Sequence, residues 1–251
     1  MSMETINSRK NQHILRLRRL AGETAFRREA GEFVCDGMKL LKEAVEKGAE
    51  IRSVLWKENA EPVKGLKCQR QYAAPAELFD YASPMKNSPG PVFTVAMEGE
   101  RGEEKLGKAI VLETIQDPGN VGTVLRTAKA MDIDAVILTG DCADIYSPKA
   151  VRASMGAIFR QRVIYAERDE LRQLADSNGL KLYAAALSDK AEDIRGLSMK
   201  RAAVCIGSEG QGLSRELIEL CDGEVIIPMA PGSESLNAAV AAAIIMWEMA
   251  R

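Results

Sequence analysis

From residue 109 onward the chain repeats one pattern: a run of five to eight mostly apolar residues, a turn, and a helical stretch before the next run. The runs are AIVLE, AVILTG, RVIYA, LKLYAAAL, AAVCIG and EVIIP. Strands without polar alternation need cover on both faces, and interposed helices supply it, so the pattern predicts a parallel α/β sheet. It predicts a helix from about Val121 to Met131, and another opening at Ser147, a hydroxyl cap followed by Pro148 with its φ already set. A long alanine-rich helix is expected from Leu236 to Arg251.

The first third has a different texture. A basic helical stretch leads into GEFVC at 31–35, a helical segment from Met38 to Lys47, IRSVLW at 51–56 and a strand over 92–97. Asp36 is placed to cap the helix that follows, and Pro75 to open one whose apolar face is Leu78 and Phe79. The segment EGERGEEKLGK, 98–108, is charged and has little to bury, so it reads as a linker. With 251 residues, 46% of them hydrophobic, two cores are affordable: a small α/β domain over 1–97 and a second domain over 109–251.

Composition removes several chemistries. His13 is the single histidine, so a histidine-centred metal cluster is excluded, and no metal is expected. Five cysteines, at 35, 68, 142, 205 and 221, form no CxxC pair and read as free thiols of a reducing compartment. The polar N-terminus and a longest apolar run of ten residues, Ala238 to Trp247, predict a soluble cytoplasmic protein with no membrane partner. GSEGQG at 207–212 is GxxGxG rather than GxGxxG, and no GxxxxGK[ST] occurs, which disfavours dinucleotide and triphosphate binding.

Three polar loops nonetheless follow predicted strands: DPGNVGTVLR at 117–126, IGSEGQGLS at 206–214 and IPMAPGSESLN at 227–237. All three should lie at the carboxyl edge of the sheet, where α/β folds bind ligands. They carry Asn120, Arg126, Glu209, Ser235 and Asn237, with no histidine or cysteine among them. Arg126 lies a turn or so beyond Asn120, so one helix can present both toward a pocket. Ser235 also suits a helix cap, and Asn237 suits loop backbone.

In order and spacing these loops, with KAVRASMGAIFRQRV at 149–163, resemble the signature motifs of the SpoU (TrmH-type) RNA ribose methyltransferases of the SPOUT class. The resemblance is close over 109–251 and looser over residues 7 to about 97, which are similar to the substrate-binding domain, itself similar to a ribosomal protein, of the ribosomal-RNA branch. Asp36-Gly37 stands where that branch usually has Glu-Gly, and SLNAAVA where SLNVSVA is familiar. The resemblance implies a sheet tied in a deep trefoil knot and S-adenosylmethionine as cofactor, held at Gly207, Ile227, Leu236 and Ala185. It also implies methyl transfer to a ribose 2′-hydroxyl of RNA, with ribosomal RNA the favoured substrate, by a homodimer. A ribosome-assembly factor with a non-catalytic knot, a transfer-RNA ribose methyltransferase and a base methyltransferase are the alternatives. A protein without catalysis has no chemical reason to keep all five polar loop residues.

Since arginine stays protonated, Arg126 reads as a cation that grips an RNA phosphate and stabilises a developing alkoxide. Asn120, Ser235 and Asn237 would orient the ribose or fix the loops, and Glu209 would hold an RNA group or brace the knot. Charge adds a second indication. The total of −2 hides seven basic residues, Arg9, Lys10, Arg16, Arg18, Arg19, Arg27 and Arg28, against Glu23 alone, a local +6 beside −8 in the remainder. That cluster, with Lys149 and Arg152, is the candidate RNA-binding set, and His13 a surface or base-stacking residue.

Overall fold

The computed structural model describes residues 3–97, 105–230, 232 and 235–251. It divides into two compact units, residues 1–99 with 144–159, and 100–143 with 160–251.

In the first unit β1 (Glu4–Thr5), α1 (Gln12–Gly22), α2 (Thr24–Ala30), β2 (Glu32–Asp36), α3 (Met38–Glu46), β3 (Ile51–Lys57), β4 (Arg70–Ala74), α4 (Ala76–Ala82) and β5 (Val92–Ala96) follow one another. The strands form a mixed sheet in the order β1-β4-β3-β5-β2, with β5 antiparallel to both neighbours. Ile14, Leu17 and Leu20 recur at helical spacing along α1 and are fully buried with Leu55, Phe79 and Val92, which explains why so basic a helix stays attached. Asp36 does not cap α3. Gly37 occupies that position without a side-chain bond, while the Asp36 carboxylate accepts from Ser83 and Ser88. Pro75 stands one position earlier than expected, as the cap residue of α4.

The second unit begins with β6 (Lys108–Glu113), α5 (Pro118–Ala130) and β7 (Ala135–Thr139). The chain then contributes α6 (Pro148–Ser154) to the first unit, where α6 packs on β2. Residues 144–159, read from sequence as part of a continuous second domain, therefore belong to the first unit. Back in the second unit come β8 (Arg162–Tyr165), α7 (Arg168–Asn178), β9 (Lys181–Ala185), β10 (Glu192–Asp193), β11 (Ala202–Ile206), α8 (Arg215–Leu220), β12 (Gly223–Ile226) and α9 (Ala238–Ala250). Among the described residues its seven strands are all parallel, in the order β10-β12-β9-β11-β6-β7-β8. Of the expected linker, residues 98–104 lie outside the described residues. Residues 106–108 are built into the second unit instead: Leu106 is buried, its N–H donates to Asn178, and those of Gly107 and Lys108 donate to Asp134.

The strand order reverses direction beside β6. The chain runs outward through β7 to β8, then returns across to β9, and β11 finally fills the place between β9 and β6. The carboxyl ends of β6 and β11 thus lie side by side at a switch point, the place where an open parallel sheet leaves a crevice.

Candidate active site

Two of the loops that meet at this crevice are fixed by helix caps. Asp117 accepts the Asn120 N–H at 3.0 Å to start α5, with Pro118 in the first turn. Asn237 caps α9 through the N–H groups of Ala239 and Val240, at 3.0 and 3.3 Å, so the cap is Asn237 and not Ser235.

A polar knot of three side chains ties all three loops together. One carboxylate oxygen of Glu209, Oε1, accepts from Asn120 Nδ2 at 2.7 Å, Asn237 Nδ2 at 2.6 Å and the Ala238 N–H at 3.3 Å. Asn237 Nδ2 also reaches Asn120 Oδ1 at 3.2 Å. Each asparagine therefore serves the start of its own helix, bonds Glu209 and bonds the other asparagine.

Beside this triad lies a cavity of about 550 Å³, lined among others by Ala185, Gly207, Glu209, Ile227, Ser235 and Leu236. All four positions named for the cofactor are thus brought into one wall. Gly207 is required by close approach rather than by φ. A Cβ there would overlap the backbone of Gly212 and Leu213, where the loop doubles back and Gly212 N–H donates to Ser208 O at 2.8 Å. Ser235 is exposed and makes no hydrogen bond with a described residue, so its hydroxyl is available to a ligand.

Arg126 stands apart. It is exposed on α5, lines neither this cavity nor the neighbouring groove, and has no hydrogen bond or ion pair among the described residues. The reason is helical geometry: six residues advance about 600°, leaving Arg126 roughly 240° around from Asn120, on another face.

Two contributors carried no signal that the sequence reading used. Glu113, 3% exposed at the end of β6, accepts Ser214 N–H at 2.7 Å and Ser214 Oγ–H at 2.6 Å, and pairs with Arg168 at 2.9 Å. It pins the far end of the loop that forms the cavity wall. Asp117 was legible as an acceptor directly before Pro118, the residue pair that opens a helix.

A second groove, about 540 Å³, runs between α5 and α9 and is lined by Asn120, Thr123, Asn237, Val240, Ile244 and Trp247, with others. Trp247 is 60% and Val240 47% exposed.

The nine basic candidates all fall in the first unit, Lys149 and Arg152 included, because α6 belongs there. They are not equivalent. Arg27 is buried, its guanidinium spent on Asp144 at 2.6 Å, Leu20 O at 2.6 Å and Thr24 Oγ1 at 2.8 Å, so it is a structural tie rather than a phosphate ligand. Arg16 pairs with the buried Glu32, Arg19 with Glu23 and Arg9 with Glu77. Arg9 and Arg18 flank the Tyr81 ring at 4.7 and 4.2 Å. Lys10 and Arg28 are exposed and make no side-chain bond to a described residue. His13 is not a surface platform: it stacks on Tyr72 at 4.1 Å, and burial, aided by Arg16 and Arg70, lowers its pKa to about 4.

Among the described residues no group of three or more His, Cys, Asp or Glu could hold a metal, and no helix is long and apolar enough to cross a membrane.

Fold and site together define a parallel α/β protein with a ligand cavity at its switch point and a histidine-free polar centre beside it. The model of the SpoU rRNA Methylase family matches residues 107–247, and the chain belongs to that family. It is similar over 98% of its length to an uncharacterized tRNA/rRNA methyltransferase of Synechocystis sp., 32% identical and covered over 93%. The 23S rRNA (guanosine(2553)-2′-O)-methyltransferase RlmP of Bacillus subtilis is 28% identical over 98% of this chain and 99% of its own. The crystal structure of the SpoU methyltransferase AviRb from Streptomyces viridochromogenes, in complex with the cofactor AdoMet, aligns with a TM-score of 0.87 at 26% identity, covering 96% of this chain and 97% of that one.

Proposed function

We propose that the protein transfers a methyl group from S-adenosylmethionine to a ribose 2′-hydroxyl of ribosomal RNA. The observation that carries this reading is the cavity at the carboxyl ends of β9, β11 and β12, with the Glu209 triad at its edge and Ser235 open to it. Support comes from full-length similarity to a ribosomal-RNA 2′-O-methyltransferase and to a protein solved with AdoMet.

The residues present fit the cofactor. The cavity volume, about 550 Å³, falls within the range of small-molecule sites. Ile227 and Leu236 offer apolar wall to a purine, and the close Gly207–Gly212 approach keeps side chains out of the loop neck. Bound there, S-adenosylmethionine supplies a methyl already activated by its sulfonium. The chain's own task is then to align the hydroxyl oxygen and ease loss of its proton, and alignment alone supplies several powers of ten. Asn120, Glu209 and Asn237 satisfy one another, so their role is to hold the three loops in register. Ser235 is left to touch the ribose, and Arg126, exposed on another face of α5, is left to hold an RNA phosphate.

The first unit serves as the RNA-binding domain, through Lys10, Arg18, Arg28, Arg9, Lys149 and Arg152. The exposed side of α9 seats a second copy, making a homodimer: every residue of the helix but Glu248 is apolar, and Val240 and Trp247 recur two turns apart on its open side. The deep trefoil knot of this class is assigned to the segment around β11, β12 and α9. Five free cysteines fit work in a reducing compartment such as the cytoplasm. Mapping 2′-O-methyl sites in total RNA with and without the gene tests the substrate. Loss of one site in ribosomal RNA is expected, whereas an unchanged ribosomal-RNA map refutes it.

A further inference from the structure

Among the described residues, the cavity wall contains two carboxylates, Glu209 and Glu224, and no basic side chain. Glu209 is committed, one of its oxygens serving three donors. Glu224 is not. It stands on β12, half-buried, and its single bond to a described residue is from Ser188 Oγ–H to Oε2 at 2.6 Å. A carboxylate has about four lone-pair sites, so this one has acceptor capacity left over inside a binding cavity, already aimed by a serine that also lines it.

Glu224 shares the cavity wall with Ala185 and Ile227, two of the four positions that the resemblance implies for the cofactor. A cofactor held there offers it, as neutral paired donors, the vicinal 2′- and 3′-hydroxyls of its own ribose. Two hydroxyls on one face of a five-membered ring match two oxygens of one carboxylate.

We infer that Glu224, oriented by Ser188, is the acceptor for the ribose diol of the S-adenosyl cofactor. This rests on the S-adenosylmethionine reading above. A carboxylate so placed selects for a ribonucleoside cofactor over a deoxy analogue, because an analogue lacking a hydroxyl leaves the charged oxygen without a partner.

Isothermal titration calorimetry tests it, with S-adenosylmethionine, S-adenosylhomocysteine and the 2′-deoxy and 3′-deoxy forms of the latter. The proteins are the unaltered chain, Glu224→Gln and Ser188→Ala, each checked for an unchanged melting temperature. Glu224→Gln is expected to weaken S-adenosylhomocysteine about tenfold, and Ser188→Ala about threefold. The deoxy analogues should bind the unaltered chain about tenfold more weakly than the parent, yet bind Glu224→Gln as well as the parent does, the signature of a direct pair. A Glu224→Gln affinity within twofold of the unaltered protein, or losses that simply add, overturns the inference and leaves the cofactor assignment standing. Failure of the unaltered protein to bind S-adenosylmethionine at all overturns the assignment, and this inference with it.

Discussion

Gly207 shows how a single side-chain hydrogen shapes the site. It has no positive φ to protect, but a methyl there would collide with the Gly212 backbone, which cannot yield without opening the loop. Gly207→Ala should weaken S-adenosylmethionine at least tenfold, while Gly210→Ala, with nothing within 4 Å of its Cβ, should bind normally. Calorimetry on both decides. His13 makes a second residue-scale prediction. Burial holds it neutral with a pKa of about 4 against 6.5 in the unfolded chain. The unfolded state therefore takes up the proton first as pH falls. Stability is fully present above pH 6.5 and is lost on the way down to about pH 4, by on the order of 2–3 kcal/mol. Denaturant titrations of the unaltered chain and His13→Gln should diverge over that window; parallel curves would contradict the burial. Nothing in the sequence announced this, since a histidine beside arginines reads as surface until Tyr72 is found stacked on it.

At the scale of elements, legibility followed how local the cause was. The apolar runs located β6, β7, β8, β9, β11 and β12 to within a few residues, because a doubly covered strand must be apolar throughout. The two-residue β10, Glu192–Asp193, carries no such mark. The membership of α6 was also hidden, since its partner β2 is more than a hundred residues away. Asn120, Glu209 and Asn237 were legible as one site, but the angular separation of Arg126 was not counted. Along the basic segment, composition could not tell a phosphate ligand from a buried tie. Arg27→Ala breaks a buried pair with Asp144 and should cost about 3–5 kcal/mol of stability, with little change in the salt dependence of RNA binding. Arg18→Ala should leave the melting temperature nearly unchanged and reduce the slope of log affinity against log salt by about one. Filter binding over a salt series, alongside thermal unfolding, separates the two, and a reversed assignment would remove the RNA reading of this segment.

The whole molecule combines a mixed five-stranded unit holding the RNA-binding candidates and a seven-stranded parallel unit holding the cavity. The near-neutral total charge conceals how the basic candidates are gathered in one unit. Assembly is the next level: with Trp247 60% exposed on a helix apolar but for Glu248, Trp247→Glu should shift a sedimenting dimer to monomer, and a monomeric unaltered protein would discard the interface. The central claim is the reaction. Purified protein, unmethylated ribosomal RNA and methyl-labelled S-adenosylmethionine are incubated, and the RNA is hydrolysed in alkali. The account predicts label in an alkali-resistant 2′-O-methyl dinucleotide, formed about tenfold more slowly by Arg126→Ala at limiting RNA. Label recovered on a free base, or no label transferred at all, would contradict it.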